Sequence, residues 1–507
     1  MTFGYDAIGR LTSVNDSVGG TITWVYDTVA SGHHPRVAET TSTGTVTVEY
    51  DEIGRRFKLS ATGQSDTTYG YDAASQFQTV TKGTQTVTLA YDDAGRRTSL
   101  TYPNGVVTSY GYDNANRVLS ITHVKAPTTI ESLTYTYDPT GNRLSQTRAN
   151  AAASNLPTAV AAAQITYDAA NELLRWNNAT NNLTYDNNGN LATETVGGVM
   201  TTYTWDSRNR LTGISKTGLT ASFVYDGLGR RKSKTVNGST TGFWYDGNDV
   251  YAELSGVTPS FTYIRGLNID EPYVRKGASD EFYETDALGS SVALTNSAGA
   301  AQTTYTYEPF GTTTQAGTAS TSPFQFTGRE NDGTGLYYYR ARYYYPKVQR
   351  FVRQDPIEFR GGDWNIYAYA AQDPISLRDP FGLLGYGGAA ALGCTAGALG
   401  GIGGRKPLQG AILGGFIGCN YSPLMIGLQL LPTYRGLSIG LGAYIGAVSG
   451  AATAAAQGGT LSDIALGTAG GLVGGAISGA ISNPFLSTGA GQIGSAILTN
   501  AVSVLGR

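Results

Sequence analysis

The sequence predicts an all-β protein of antiparallel hairpin repeats, followed by a Gly/Ala-rich, predominantly helical C-terminal segment. Three observations carry this reading. A tyrosine–aspartate pair returns about every 20 residues as far as residue 246, short runs of alternating β-branched and aromatic residues flank the pairs, and charged residues almost vanish after residue 383. Self-similarity at a fixed period marks a repeat architecture, in which each unit buries its apolar face only against its neighbours.

The pair opens with Tyr5–Asp6 in YDAIGRL and returns at Tyr50–Asp51, Tyr91–Asp92, Tyr137–Asp138, Tyr185–Asp186 and Tyr225–Asp226. Weaker copies at Tyr26, Tyr71, Tyr112, Tyr167, Trp205 and Tyr245, each before an Asp, fill the gaps. Runs such as Thr45–Val46–Thr47–Val48–Glu49–Tyr50 suit a half-buried strand. In the turn that follows, the Asp side chain is placed to accept backbone amides two residues on. Gly9 and its equivalents supply the positive φ that closes the turn, and Arg10 or its equivalent opens the return strand within ion-pair reach of the Asp. A continuous antiparallel sheet is therefore expected as far as residue 383, its repeat residues serving structure and none singled out as a site.

From residue 280 the chain carries a run of more specific phrases. These are TDALGSSVALTNSAG (285–299), YEPFGT (307–312), FTGRENDGTGLYYYRARYY (326–344), RFVRQDPI (350–357), GGDWNIYAYAAQDP (361–374) and DPFGL (379–383). With the YDxxGRL unit, they resemble the RHS/YD-repeat family, which includes bacterial polymorphic toxins, the C component of insecticidal Tc toxins and the YD shell of teneurins. The resemblance divides the chain into repeats (1–279), an RHS-associated core (280–383) and a variable C-terminal region (384–507). It implies a sheet that spirals into a hollow shell around a C-terminal effector, with the core sealing one end.

Composition agrees with this class. Only 14% of residues are charged, against 68 Gly and 34 Tyr, as suits long turn-rich sheets. A formal net charge of −3 argues against coating nucleic acid. The cluster Arg340, Arg342, Lys347, Arg350, Arg353 and Arg360 alternates with Tyr337–Tyr339 and Tyr343–Tyr345, a pattern that either stacks on single strands or packs a sheet; packing is the favoured reading, and no nucleic-acid partner is expected. Cys394 and Cys419 form neither a metal-ligand spacing nor a disulfide framework. His33, His34 and His123 lie in repeats without a partnered Ser or Cys motif, and DNNGN after Tyr185 lacks the later Glu of a calcium loop. No metal and no cofactor is expected. Met1 runs straight into a repeat without a signal segment, which implies either a lost upstream region or export by a machine that reads no such signal.

The resemblance further implies self-cleavage. Toxin members cut their own chain after the Leu of a DPxGL phrase, with an Asp from the preceding DP phrase and an upstream Arg. Carried onto this chain, the residues are Asp355 and Arg342, the bond is Leu383–Leu384, and Asp379 is the second carboxylate, with Asp373 a weaker choice. Two close carboxylates share a proton, so one acts as acid while the other activates water, and Arg342 either sets which stays charged or steadies the oxyanion. The chain departs from the family phrases at Tyr345, where an Asp is usual, and at Gln349 and Glu358, where Gly is usual. Loss of these turn glycines is expected to shift the local backbone, which leaves two readings of Asp355, a catalytic residue or a capping or turn Asp in a core that no longer cuts.

Behind Leu383, the stretches 407–434, 436–462 and 464–506 carry no charge, and each exceeds the roughly 20 residues that span a bilayer as a helix. Their glycines are phased four apart: 393/397/401, 410/414/418, 442/446/450 and 467/471/475/479. Four-residue spacing puts small residues on one helical face, where helices approach closely in lipid. A membrane-active module is the leading reading, beside a soluble effector and a passive tail. The expected partners are a target membrane, an immunity protein and a secretion machinery, and the protein is secreted or at the cell surface. A different class, a surface adhesion or glycan-binding protein anchored by these helices, differs in that the tail stays attached.

Overall fold

The computed structural model describes residues 1–27, 36–150, 159–361 and 363–383. Residues 1–354 with 367–382 form one compact unit, and 355–366 with Leu383 belong to a second. The expected helical segment 384–507, both cysteines, His33 and His34 lie outside the described residues.

Hairpins form where the repeat predicts them. Fourteen strands, from β1 (Thr2–Tyr5) to β14 (Arg143–Arg148), pair antiparallel in chain order. A separate hairpin of β15 (Ile165–Tyr167) and β16 (Leu173–Trp176) follows, then a second 14-stranded sheet from β17 (Leu183–Tyr185) to β30 (Thr313–Gly317). A four-stranded closing sheet consists of β31 (Glu330–Asn331), β32 (Tyr337–Tyr339), β33 (Arg342–Tyr345) and β34 (Arg350–Phe351). The expectation of one continuous sheet is thus corrected. The first sheet ends at Arg148 and the second at Gly317, where the chain enters a stretch containing Pro323. That second stretch lacks the β-branched alternation of a strand, and proline cannot donate to a sheet ladder.

The repeat turn is local chemistry. Asp6 Oδ1 accepts the amides of Ile8 (3.1 Å) and Arg10 (2.8 Å), Oδ2 takes the Arg10 Nε (2.6 Å), and Gly9 has φ +82°. The same arrangement recurs at Asp51, Asp92, Asp113, Asp206 and Asp226. Where glycine is absent, Ser75, Asn116, Asn171 and Asn209 adopt φ near +60° instead; for Asn this fits a short polar side chain that tolerates the left-handed region.

The tyrosine of many of these pairs then ties one repeat to the one before. Tyr71 Oη donates to the Arg56 carbonyl (2.9 Å), Tyr112 to Arg97 (2.9 Å), Tyr137 to Val118 (2.8 Å) and Tyr245 to Arg231 (2.8 Å). Meanwhile the turn arginine lies over the next tyrosine ring, Arg55 over Tyr71 at 4.6 Å and Arg230 over Tyr245 at 4.7 Å. A phenylalanine would keep the ring and lose the tie.

Within the first unit the two large sheets share one core. Val46, Leu59, Val80, Val87, Leu89 and Leu100 of the first sheet cluster with Trp244, Leu254, Ile264, Val274 and Phe282 of the second. Polar ties cross the same seam: Arg97–Glu271 (2.6 Å), Arg56–Asp246 (2.6 Å) and Asn104 Nδ2 to Thr295 Oγ1 (2.9 Å). His123 belongs here too, with Nδ1 2.8 Å from Thr108 Oγ1 and Nε2 3.2 Å from the Thr285 carbonyl.

Candidate functional site

The closing sheet is built of aromatic residues. Tyr337, Tyr338, Tyr339, Tyr343, Tyr344 and Tyr345 are all buried, with Phe326, Phe351 and Tyr369 packed around them. The interleaved tyrosines therefore pack a core and present no stacking platform. Arg231 from the second sheet reaches into this block, pairing with Glu330 and Asp332. Replacing the usual Asp, Tyr345 donates its hydroxyl to Glu194 of the second sheet at 3.0 Å.

The turn between β32 and β33 is two residues, Arg340 and Ala341, and the chain from Asp379 to Gly382 lies against it. Arg342 is buried with its guanidinium 3.6 Å from the Phe351 ring centroid. Its Nε donates to the Gly382 carbonyl (2.5 Å), and its Nη2 pairs with Asp379 Oδ2 (3.3 Å). The structure thus brings together two of the three residues singled out from the sequence. Asp379 is 1% exposed, and its carbonyl accepts the Gly382 amide at 3.3 Å, a turn that puts Gly382 at φ +63°. A Cβ there would overlap the Tyr339 carbonyl oxygen and lie 3.0 Å from the Arg342 nitrogen, so only glycine fits.

Asp355 belongs to the second unit. It is 3% exposed, its amide donates to the Ile366 carbonyl (2.9 Å), and its Oδ1 accepts the Ile357 amide (2.9 Å). The carbonyl accepts the Glu358 amide at 2.9 Å, in a turn where Glu358 has φ +53°. Gln349 has φ +61° in the same way. The expected backbone shift at these two positions is corrected: both keep the left-handed conformation that glycine would adopt, at a cost of about 1 kcal/mol each. The weaker choice, Asp373, holds a turn by accepting the Ser376 amide (3.2 Å).

A group of charges that sequence reading assigned no role surrounds Arg340. Its guanidinium donates to Asp270 (2.7 and 3.1 Å), to Asp249 (2.9 Å) and to the Pro380 carbonyl, while its Nε reaches the Asn248 carbonyl (3.1 Å). Asp270 also takes Arg329 at 2.5 Å. Burial alone would raise the Asp270 carboxyl, but Arg329 and Arg340 outweigh it and hold the group down at about 2. The signal in the sequence was the charge itself, since a chain with few charged residues places six basic ones within 21 positions, 340–360.

Residues 106–375 match the family described as Teneurin YD-shell. Double-stranded DNA deaminase toxin A of Burkholderia cenocepacia is 38% identical over 109 residues, 20% of this chain and 8% of that protein. Toxin protein Tse5 of Pseudomonas aeruginosa is 35% identical over 104 residues, again 20% of this chain and 8% of the relative. The matched stretch is therefore under a tenth of either relative's length. The crystal structure of TcdB2–TccC3–Cdc42 aligns with a TM-score of 0.54 at 19% identity, over 74% of this chain and 24% of that one, a likeness of fold.

Proposed function

The chain belongs to the teneurin YD-shell family, and from that premise we propose that it is a toxin-delivery shell whose C-terminal effector, residues 384–507, is a membrane-active module released by self-cleavage after Leu383. The observation that carries the reading is the docking of Asp379–Gly382 against buried Arg342, which holds the chain immediately before the bond to be cut. In this reading Asp355 and Asp379 serve as the acid and base of the cut, with Arg342 paired to Asp379. Water then adds to the Leu383 carbonyl, the bond to Leu384 breaks, and the products are a carboxylate at Leu383 and an amine at Leu384.

Support for delivery comes from the relatives, two of which are named as toxins. Secretion, an immunity protein and a secretion machinery belong to the same reading. The module's membrane action rests on its phased glycines and its uncharged stretches.

Expression of the intact chain tests this. The expected result is a fragment ending at Leu383, absent in Asp355→Asn, with dye release from liposomes by wild type and none by the uncut variant. A whole, attached chain that leaves liposomes sealed would instead support the anchored surface protein. Because one relative is named as a DNA deaminase, a cut chain that deaminates or cleaves nucleic acid without touching liposomes would move the effector to a nucleic-acid target.

A further inference from the structure

Three successive carbonyls in front of Leu383 are held by three successive residues of one turn. The Pro380 carbonyl accepts the Arg340 guanidinium, the Phe381 carbonyl accepts the Ala341 amide (3.1 Å), and the Gly382 carbonyl accepts Arg342 Nε (2.5 Å). Arg340 is itself fixed by Asp249, Asp270 and the Asn248 carbonyl, and its guanidinium carbon lies 5.5 Å from the Phe381 ring centroid. Arg340 sits at φ +56°, as the first residue of this two-residue hairpin turn. Nothing about burial alone requires consecutive carbonyls to be gripped one by one. A segment gripped in this way has its register fixed to a single residue.

We propose that residues 340–342 form a cradle that registers the chain for cutting, with Arg340 a positioning residue and Gly382 the specificity-determining position; this rests on the self-cleavage reading above. Holding Pro380, Phe381 and Gly382 by their carbonyls puts the Leu383 carbonyl at one place along the chain. The turn can approach Gly382 because it has no Cβ, and its φ of +63° redirects the chain after it. Any other residue at 382 pushes the strap off the Tyr339 carbonyl and moves the next peptide bond. A displacement of about 1 Å at the reacting centre costs about a hundredfold in rate. Arg340 touches no reacting atom; it acts through Pro380 and through the Asp249–Asp270 clamp.

The test uses the full chain, with cutting followed by gel and the new ends read by mass. Wild type should end at Leu383. Gly382→Ala and Arg340→Met should cut about a hundredfold more slowly, with ends spread over neighbouring residues, and Arg340→Lys, which keeps a cation between Asp249 and Asp270, should recover part of the rate. Ser376→Ala serves as the control, since Ser376 ties the same stretch to the first sheet through the Arg143 amide (3.2 Å) and should cut like wild type. Hydrogen exchange separates registration from unfolding: the Ala341 amide should lose protection in Gly382→Ala while the amides of β33 keep theirs. Cutting at the wild-type rate and position in Gly382→Ala and Arg340→Met overturns the cradle and leaves self-cleavage standing. A wild type that stays whole overturns self-cleavage and the registering role together.

Discussion

Replacing Glu172 by glutamine should steady the β15–β16 hairpin above neutral pH and leave it unchanged in acid. In the repeat turn the fourth residue after the aspartate is typically Arg10, Arg55, Arg96, Arg117, Arg210 or Arg230, each paired with its Asp. After Asp168 that position holds Glu172, whose amide still bonds Asp168 Oδ1 at 2.9 Å. Burial, then the hydrogen bond and charge of Asp168, push the Glu172 carboxyl from 4.5 to about 7. A carboxyl raised in the folded state contributes fully below its unfolded value and loses that contribution as pH rises, so the window here runs from 4.5 up through about 7. At about 1.4 kcal/mol per pH unit the ceiling is near 3 kcal/mol; Glu172 is only partly buried, and solvent screening brings the expected effect to about 1 kcal/mol. Local opening reports this better than a global melt, because the hairpin is a sheet of its own. Hydrogen exchange at the Asp168 and Asn171 amides should show about fivefold greater protection in Glu172→Gln than in wild type at pH 8, and equal protection at pH 4. Glu172→Arg, which restores the usual pair, should exceed both at pH 8. The same ratio of Gln to wild type at both pH values would refute the shared-proton account.

Tyr71→Phe keeps the ring under Arg55 and removes the bond to the Arg56 carbonyl, so urea unfolding should show a loss of about 1 kcal/mol. Gln349→Gly relieves a left-handed residue at φ +61° and should gain up to about 1 kcal/mol in the same assay, while a loss would mean that the side chain earns its place by packing. Asp270 is depressed, so its contribution is present above the unfolded value of 3.8 and fades as pH falls toward about 2; wild type should lose about 2 kcal/mol over that interval that Asp270→Asn, already destabilised, does not lose. With liposomes and the full cut chain, Gly471→Leu/Gly475→Leu should insert as well as wild type yet release less dye, and equal leakage would rule out glycine-face packing.

The repeat was legible because its chemistry is local. Asp, Gly and Arg act within five consecutive positions, and the tyrosine tie reaches back a single repeat, so both recur with the period that the sequence displays. The seam was not legible in that way. Arg97–Glu271 and Arg56–Asp246 across it, like Arg231–Asp332 between the second sheet and the closing block, join residues far apart in the chain, and nothing in either partner's neighbourhood names the other. Gln349 and Glu358 misled for a related reason: a missing glycine reads as a changed turn, whereas the surrounding structure holds both residues in the glycine-like conformation.

The candidate site departs from the turn grammar of the repeats. Asp355 accepts the amide two residues on, as a repeat aspartate does. What separates it from Asp6, Asp51 and Asp92 is the fourth residue, since each of these places its second oxygen on its own arginine there. Asp355 has Phe359 at that position, an exposed residue, and Asp379 has Leu383 and takes Arg342 from another strand instead. Neither has an arginine as the fourth residue of its own turn, and this sequence difference is what supports proposing the pair for the cut.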